Sequence, residues 1–341
     1  MDLRARAIKV ELLWTKKCPF SCSFCGMVQN ERSKEEQWNE EIKERWRKGF
    51  ENLKNIGVKF IAIYGAEPLT RMKGLDEVIK LQRELGLEQT IITALNQPNK
   101  IKKLEEAGLN SLSVSFDVKN LDDDRNIKTQ NGVKLLEEFP EIDDKACIVT
   151  VMKENEDYLI EGVKQVLDKG YWLMFDLVHP GYSGVDEKTG YPLSKCIGDD
   201  YSADVDKVVN FINTLIEWKK EGKKIHASIK LLEDIRDGYV KVKGKVRDLW
   251  HCNQMTALGF LTVGPMLQVY FCDDCQLEYK YPLDEMDTEE KWIEFFEWRK
   301  EQSTKKCPGC SWNTHYNTEE IVTSGNSGTY IHNKLYEDLG E

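Results

Sequence analysis

Three cysteines crowd the segment CPFSCSFC, at Cys18, Cys22 and Cys25, in the spacing C-x3-C-x2-C. Three thiolates in one short loop can bind zinc, bind an iron-sulfur cluster, or be structural. A closed zinc site takes four ligands, commonly as two separated pairs, and this loop supplies three packed together. A cubane cluster has four irons, so three cysteines hold three of them and leave one open to an outside ligand. Five of the ten cysteines, Cys252, Cys272, Cys275, Cys307 and Cys310, fall in the last third of the chain. That split predicts two thiolate sites on two structural units. Cys147, inside the apolar run KACIVTVM, is expected to behave as a small hydrophobe, and Cys196 is expected to be inert as well.

These residues must be positioned by the elements around them. The runs IKVELLW, VKFIAIYG, EQTIITAL, SLSVSFD, KACIVTVM and YWLMFDLVH read as six strands, separated by amphipathic helical stretches. The first helix is expected to open on a capping box, Ser33 with Glu36, and to run through EEQWNEEIKERWRKGFENLKNIG. Others are expected at about 75–85, from Asn99, near 133–138, around 157–169 and over 205–219. Such alternation implies parallel strands with right-handed crossovers and outer helices. Six units fit a partial (β/α)6 TIM-like barrel, whose chemistry gathers at the carboxyl ends of the strands. The loops there hold CPFSCSFC, GAEPLT, NQPN, Asp117, KEN and HPGYSG. From about residue 240 the pattern changes to short strands, cysteines and tryptophans. The expected division is 1–235 for the barrel and 236–341 for a small cysteine-rich α+β unit.

Bulk properties narrow the classes. With 48 basic and 59 acidic side chains among 341 residues, the formal charge of -11 disfavours bulk nucleic-acid binding. No apolar stretch reaches the roughly 20 residues needed to span a bilayer, and no secretion signal is evident, so a cytoplasmic protein is expected.

The cysteine spacing, with Phe24 before the last cysteine, resembles the signature of the radical S-adenosylmethionine enzymes. The family's G-G-E-P stretch has a counterpart in Gly65, Ala66, Glu67 and Pro68, with alanine for the second glycine. The resemblance implies that Cys18, Cys22 and Cys25 bind a 4Fe-4S cluster whose open iron chelates S-adenosylmethionine. Reductive cleavage then gives a 5′-deoxyadenosyl radical that abstracts a substrate hydrogen, with an electron donor such as flavodoxin or ferredoxin. It also implies that the GAEP turn and the Glu67 carboxylate hold the methionyl ammonium, and that Ser115 and Asp117 in SVSFD contact the cofactor.

The late cysteines resemble the twitch domain, a shortened relative of the SPASM domain. On that resemblance Cys252, Cys272, Cys307 and Cys310 hold an auxiliary 4Fe-4S cluster. The spacing alone equally allows zinc on the pairs Cys272/Cys275 and Cys307/Cys310. Cys275 is otherwise a candidate hydrogen-atom donor, and Asp176 with His179, at the end of the sixth strand, are candidates for meeting substrate. A fully ligated auxiliary cluster suits an electron acceptor, which favours dehydrogenation or crosslinking over redox-neutral epimerisation. Peptide-maturing relatives often carry an extra amino-terminal domain for leader recognition, and with the first strand expected from about Ile8 none fits. The expected substrate is therefore a small polar metabolite first and a peptide or protein side chain second. A non-catalytic iron-sulfur or zinc protein is the reading from another class; it needs neither Glu67 nor a pocket.

Overall fold

The computed structural model describes residues 9–20, 22, 24–25, 37–118, 133–178, 198–246, 249, 260–273, 277–306 and 310. Six parallel strands occur in chain order: β1 (Lys9–Thr15), β2 (Phe60–Gly65), β3 (Glu88–Thr93), β4 (Ser111–Ser115), β5 (Asp144–Val151) and β6 (Trp172–Leu177). The helices between them are α1 (Glu40–Asn55), α2 (Leu75–Glu84), α3 (Asn99–Glu106) and α4 (Leu159–Asp168). Beyond β6 come α5 (Gly198–Tyr201), α6 (Val205–Lys220) and α7 (Ile229–Lys241). The last elements are β7 (Phe260–Val263), β8 (Gln268–Tyr270), β9 (Glu278–Pro282) and α8 (Glu289–Lys306). Six strands and their covering helices have the arrangement expected of a partial barrel.

Alternation along each strand sorts side chains onto two faces. Val10, Leu12, Ile61, Ile63, Val114 and Val149 point to the helix side and join one continuous apolar core. Ala62, Thr90, Ser113 and Ala146 occupy the other, concave face.

Two expectations need correction. The first helix begins at Glu40, not at the start of EEQW: Asn39 is extended, and its side chain accepts from Ile42 N at 2.9 Å, capping the helix there. A short polar side chain that bonds its own backbone stops the helix from extending backward through Gln37 and Trp38. The expected capping pair, Ser33 and Glu36, lies outside the described residues. The second correction is α7, a helix absent from the sequence-based expectations. Ser228 caps it through Leu231 N at 2.9 Å, and Leu231, Leu232, Ile235 and Tyr239 form its buried stripe. This helix runs across the expected boundary at 235/236.

The late segment continues the sheet. The strand order is β6-β5-β4-β3-β2-β1-β7-β8-β9, with β7 parallel to β1 and the β8 and β9 pairings antiparallel. The turn after β9 docks on α1, where Asn52 Nδ2 donates to Leu283 O at 2.9 Å. Beside it Arg45 grips Asp284 through bonds of 2.8 and 3.3 Å.

Candidate active site

The cysteine loop leaves the carboxyl end of β1, where the pairing with β2 shifts register between Leu13 and Thr15. Such an irregularity bends a strand and re-aims the chain beyond it. Trp14 anchors the bend: its Nε1 donates to Arg71 O at 2.7 Å, and Arg71 Nη1 donates back to Trp14 O at 2.9 Å. The Arg71 guanidinium also lies 4.4 Å from the Trp14 ring, and Trp46 packs on the same indole at 5.9 Å.

Past this anchor the loop is tied to the GAEP turn. Ala66 N donates to Thr15 O and Glu67 N to Lys17 O, both at 3.0 Å. Thr70 Oγ1 donates to Lys17 O at 3.2 Å. Gly65 is required at this junction, because its φ is +141° and a Cβ there would lie 2.4 Å from Thr15 O. Residues far apart in sequence are thus one backbone-bonded unit. Cys18, Cys22 and Cys25 are half-buried on it. Cys25 N donates to Cys22 O at 3.1 Å, and Phe24 is buried in the core, rooting the turn that carries the last two thiols.

Glu67 is 1 % exposed, with its carboxylate turned into the protein. Oε1 accepts from Thr93 Oγ1 at 2.6 Å and from Leu69 N at 3.1 Å; Oε2 accepts from Ala94 N at 2.9 Å. Burial pushes this carboxyl above its ordinary range, against the pull of those three donors. The result is a post joining the end of β2 to the end of β3. Just past that post Leu95 holds φ +53°, a backbone conformation rare outside glycine. Pro68 opens the 3-10 turn Pro68–Thr70 that Glu67 caps.

Ser115 ends β4, half-buried, and Asp117 lies two residues on at 1 % exposure. Asp176 lies on β6 opposite Thr150 of β5, so Ser115 and Asp176 belong to different strands of the same sheet, with β5 between them. Cys272 and Cys310 are buried. Cys252, Cys275, Cys307, His179 and Cys196 lie outside the described residues. Among the described residues, no three His, Cys, Asp or Glu side chains converge as a metal-binding group. Cys147 is buried and its thiol is pushed up to about 12 by desolvation, as an inert core cysteine should be.

Three partners had no signal in the local sequence: Thr93, Ala94 and the Lys17 carbonyl. They meet the motifs only through the parallel register. A fourth contact joins the two halves of the chain, where the Tyr64 hydroxyl on β2 bonds Asp273, the neighbour of Cys272. Lys16 also reaches the late strands, its Nζ 5.7 Å from the centre of the Tyr270 ring. Burial holds this amine below its ordinary range, against the attraction of Glu278.

A family model described as the Radical SAM superfamily matches residues 12–183, half of the chain. The chain belongs to the radical SAM superfamily. Radical SAM membership implies a 4Fe-4S cluster and S-adenosylmethionine, and three thiols on one loop are a donor set that fits such a cluster. Among curated proteins, the PqqA peptide cyclase of Bradyrhizobium diazoefficiens is 33% identical over 105 residues, 30% of this chain and 26% of that protein. The PqqA peptide cyclase of Rhodopseudomonas palustris is 32% identical over 113 residues, 32% of this chain and 28% of its own length. This radical SAM chain therefore matches little more than a quarter of the length of either cyclase. Among solved structures, Streptococcus suis SuiB bound to precursor peptide SuiA superposes with TM-score 0.59 at 15% identity, covering 85% of this chain and 65% of SuiB. That likeness is one of fold. No helix among the described residues is long and apolar enough to cross a membrane.

Proposed function

We propose that this radical SAM protein abstracts a hydrogen from a peptide side chain and completes its oxidation, by dehydrogenation or crosslinking, with electron transfer to an auxiliary site on the late cysteines. The observation that carries the reading is the bonded unit of cysteine loop and GAEP turn at the carboxyl ends of β1 and β2. When bound, the cluster and S-adenosylmethionine supply abstraction of one substrate hydrogen. The chain's own residues hold the parts in place. Cys18, Cys22 and Cys25 would hold three irons. Gly65 and Ala66 would offer backbone groups to the cofactor, whereas the Glu67 carboxylate, engaged by Thr93, Leu69 and Ala94, acts by fixing the turn. That changes the role expected for Glu67, from ammonium ligand to positioning residue. Ser115 and Asp117 remain the candidates for contact with the cofactor, and Asp176 and His179 for contact with substrate.

In the overall oxidation the substrate loses one hydrogen atom, then one electron to the auxiliary site and one proton to solvent. Cys252, Cys272, Cys307 and Cys310 are the ligands proposed for that site, and Cys275 is left for substrate.

The two cyclases, which by name act on a peptide, support a peptide over the small polar metabolite that the sequence favoured. The test is anaerobic. Protein reconstituted with iron and sulfide, then given dithionite and S-adenosylmethionine, is expected to form 5′-deoxyadenosine, and Cys22→Ala to form none. The peptide fraction of a cell extract should raise that yield severalfold, and protease treatment of the fraction should abolish the rise. Stimulation that survives the protease would favour the metabolite.

A further inference from the structure

One side chain bridges the two cysteine regions of the chain. Tyr64 stands on β2 immediately before Gly65, so its backbone adjoins the GAEP turn. Its ring lies in a small buried cluster with Leu13 and Tyr270, against Ile92. Its hydroxyl donates to the carboxylate of Asp273, the residue after Cys272. Both side chains are buried.

Strand direction shows why a bridge is needed. β7 runs parallel to β1, and β8 runs antiparallel to β7, so the chain is heading away from the cysteine loop as it approaches Cys272. The Tyr64 side chain spans the interval. Phe271 N donates to Leu277 O at 2.9 Å, and the Phe271 ring meets Trp298 of α8 edge-on at 6.3 Å. The segment Phe271–Asp273 is thus held both by α8 and by β2.

Charge gives the Tyr64–Asp273 bond a second consequence. A carboxylate one residue from a thiolate ligand opposes the arrival of an electron, because it adds negative charge beside a group that is becoming more negative. A hydroxyl proton donated to that carboxylate offsets part of the charge. Reduction potentials of iron-sulfur sites respond to net charge, hydrogen bonding and solvent exposure. Cys272 and Cys310 are themselves buried, a setting that suits shielded cluster ligands and in which solvent screens a nearby charge poorly.

We propose that Tyr64 is the positioning residue of the electron-transfer step: it holds Asp273 and Cys272 against the barrel and, by bonding the carboxylate, makes the late thiolate site a better electron acceptor. The proposal rests on the reading of that site as an auxiliary iron-sulfur cluster. In the step itself the substrate radical loses one electron, the cluster gains it, and the proton goes to solvent. Tyr64 keeps its own proton and electrons. A tyrosine that merely filled space between two elements would need no hydroxyl.

The test uses the full chain with Cys18, Cys22 and Cys25 all changed to Ala, so that only the late thiols can hold a cluster. This parent is reconstituted with iron and sulfide and titrated with reductant at fixed pH, the reduced cluster being read by electron paramagnetic resonance. Adding Tyr64→Phe is expected to leave the iron and sulfide content unchanged. At the potential that half-reduces the parent, it should lower the ratio of reduced to oxidised cluster about threefold, within the worth of one hydrogen bond. Asp273→Asn should raise the ratio, and Tyr64→Phe should then have no effect on it. A ratio that Tyr64→Phe leaves unmoved or raises, or a lowering that persists in the Asp273→Asn background, would overturn the proposal. Should Tyr64→Phe fail to hold iron, Asp273→Asn decides alone: a raised ratio supports the proposal and an unmoved one overturns it. A parent that holds zinc and no sulfide overturns the auxiliary-cluster reading and the proposal with it, whereas an intact cluster with an unmoved ratio overturns the proposal alone.

Discussion

At the scale of single residues, Glu67 is a motif acid held wholly inside the fold. Its two oxygens accept three bonds from donors on two elements. Glu67→Gln replaces one oxygen by an amide donor and sets N–H against N–H. The expected loss is about 1–3 kcal/mol of stability, read from urea unfolding. The pH dependence has a definite sign. Burial raises the folded pKa above the ordinary 4.5, so between those two values the folded chain binds more protons than the unfolded one. Stability from this group is full below 4.5 and falls as pH rises through the raised value. Glu67→Gln should remove that part of the slope. The cysteine loop and the GAEP stretch stood out in the sequence through their resemblance to the radical SAM signature. Their contacts were not legible there, because Thr93 and Ala94 reach Glu67 only once β3 lies beside β2.

At the scale of elements, the cysteine loop depends on how two strand ends approach. Gly65→Ala would place a Cβ 2.4 Å from Thr15 O. It is expected to part the Ala66–Thr15 bond and to cost the reconstituted protein the iron held on Cys18, Cys22 and Cys25, as measured by iron assay against the variant with those three cysteines changed to Ala. Gly170→Ala is the informative contrast. Its φ is +75° with nothing within 4 Å, so it should cost about 1–2 kcal/mol of stability and no iron. Strand and helix periodicity made the six parallel units readable. The start of α1 was not, because Asn39, a single capping side chain, outweighs a longer acidic stretch that is helical by propensity. The apolar stripe of α7 is regular and its Ser228 cap is ordinary, so this helix was legible in principle; it lies just where the strand-and-helix alternation that marks the barrel has ended.

At the scale of the whole molecule, β7 extends the parallel sheet on the far side of β1, so the barrel strands and the late cysteine-bearing hairpin share one backbone framework. Parallel pairing between residues some 250 positions apart leaves no local signature, and this continuity could not be read from the chain. The Tyr64–Asp273 bond and the Arg45–Asp284 pair brace the same junction. If the late cysteines hold a second cluster, a variant with Cys18, Cys22 and Cys25 all changed to Ala should retain iron and sulfide in equal amounts after reconstitution. Zinc without sulfide would instead assign those thiols to a zinc site.

On the proposed function, three thiolates on the β1 loop leave one iron open to S-adenosylmethionine beside the GAEP turn. Electron paramagnetic resonance of the reduced, reconstituted protein tests it most directly. Addition of S-adenosylmethionine is predicted to shift the g-values of the cluster signal, and the shift should be absent in Cys22→Ala. A cluster spectrum indifferent to S-adenosylmethionine would contradict the account.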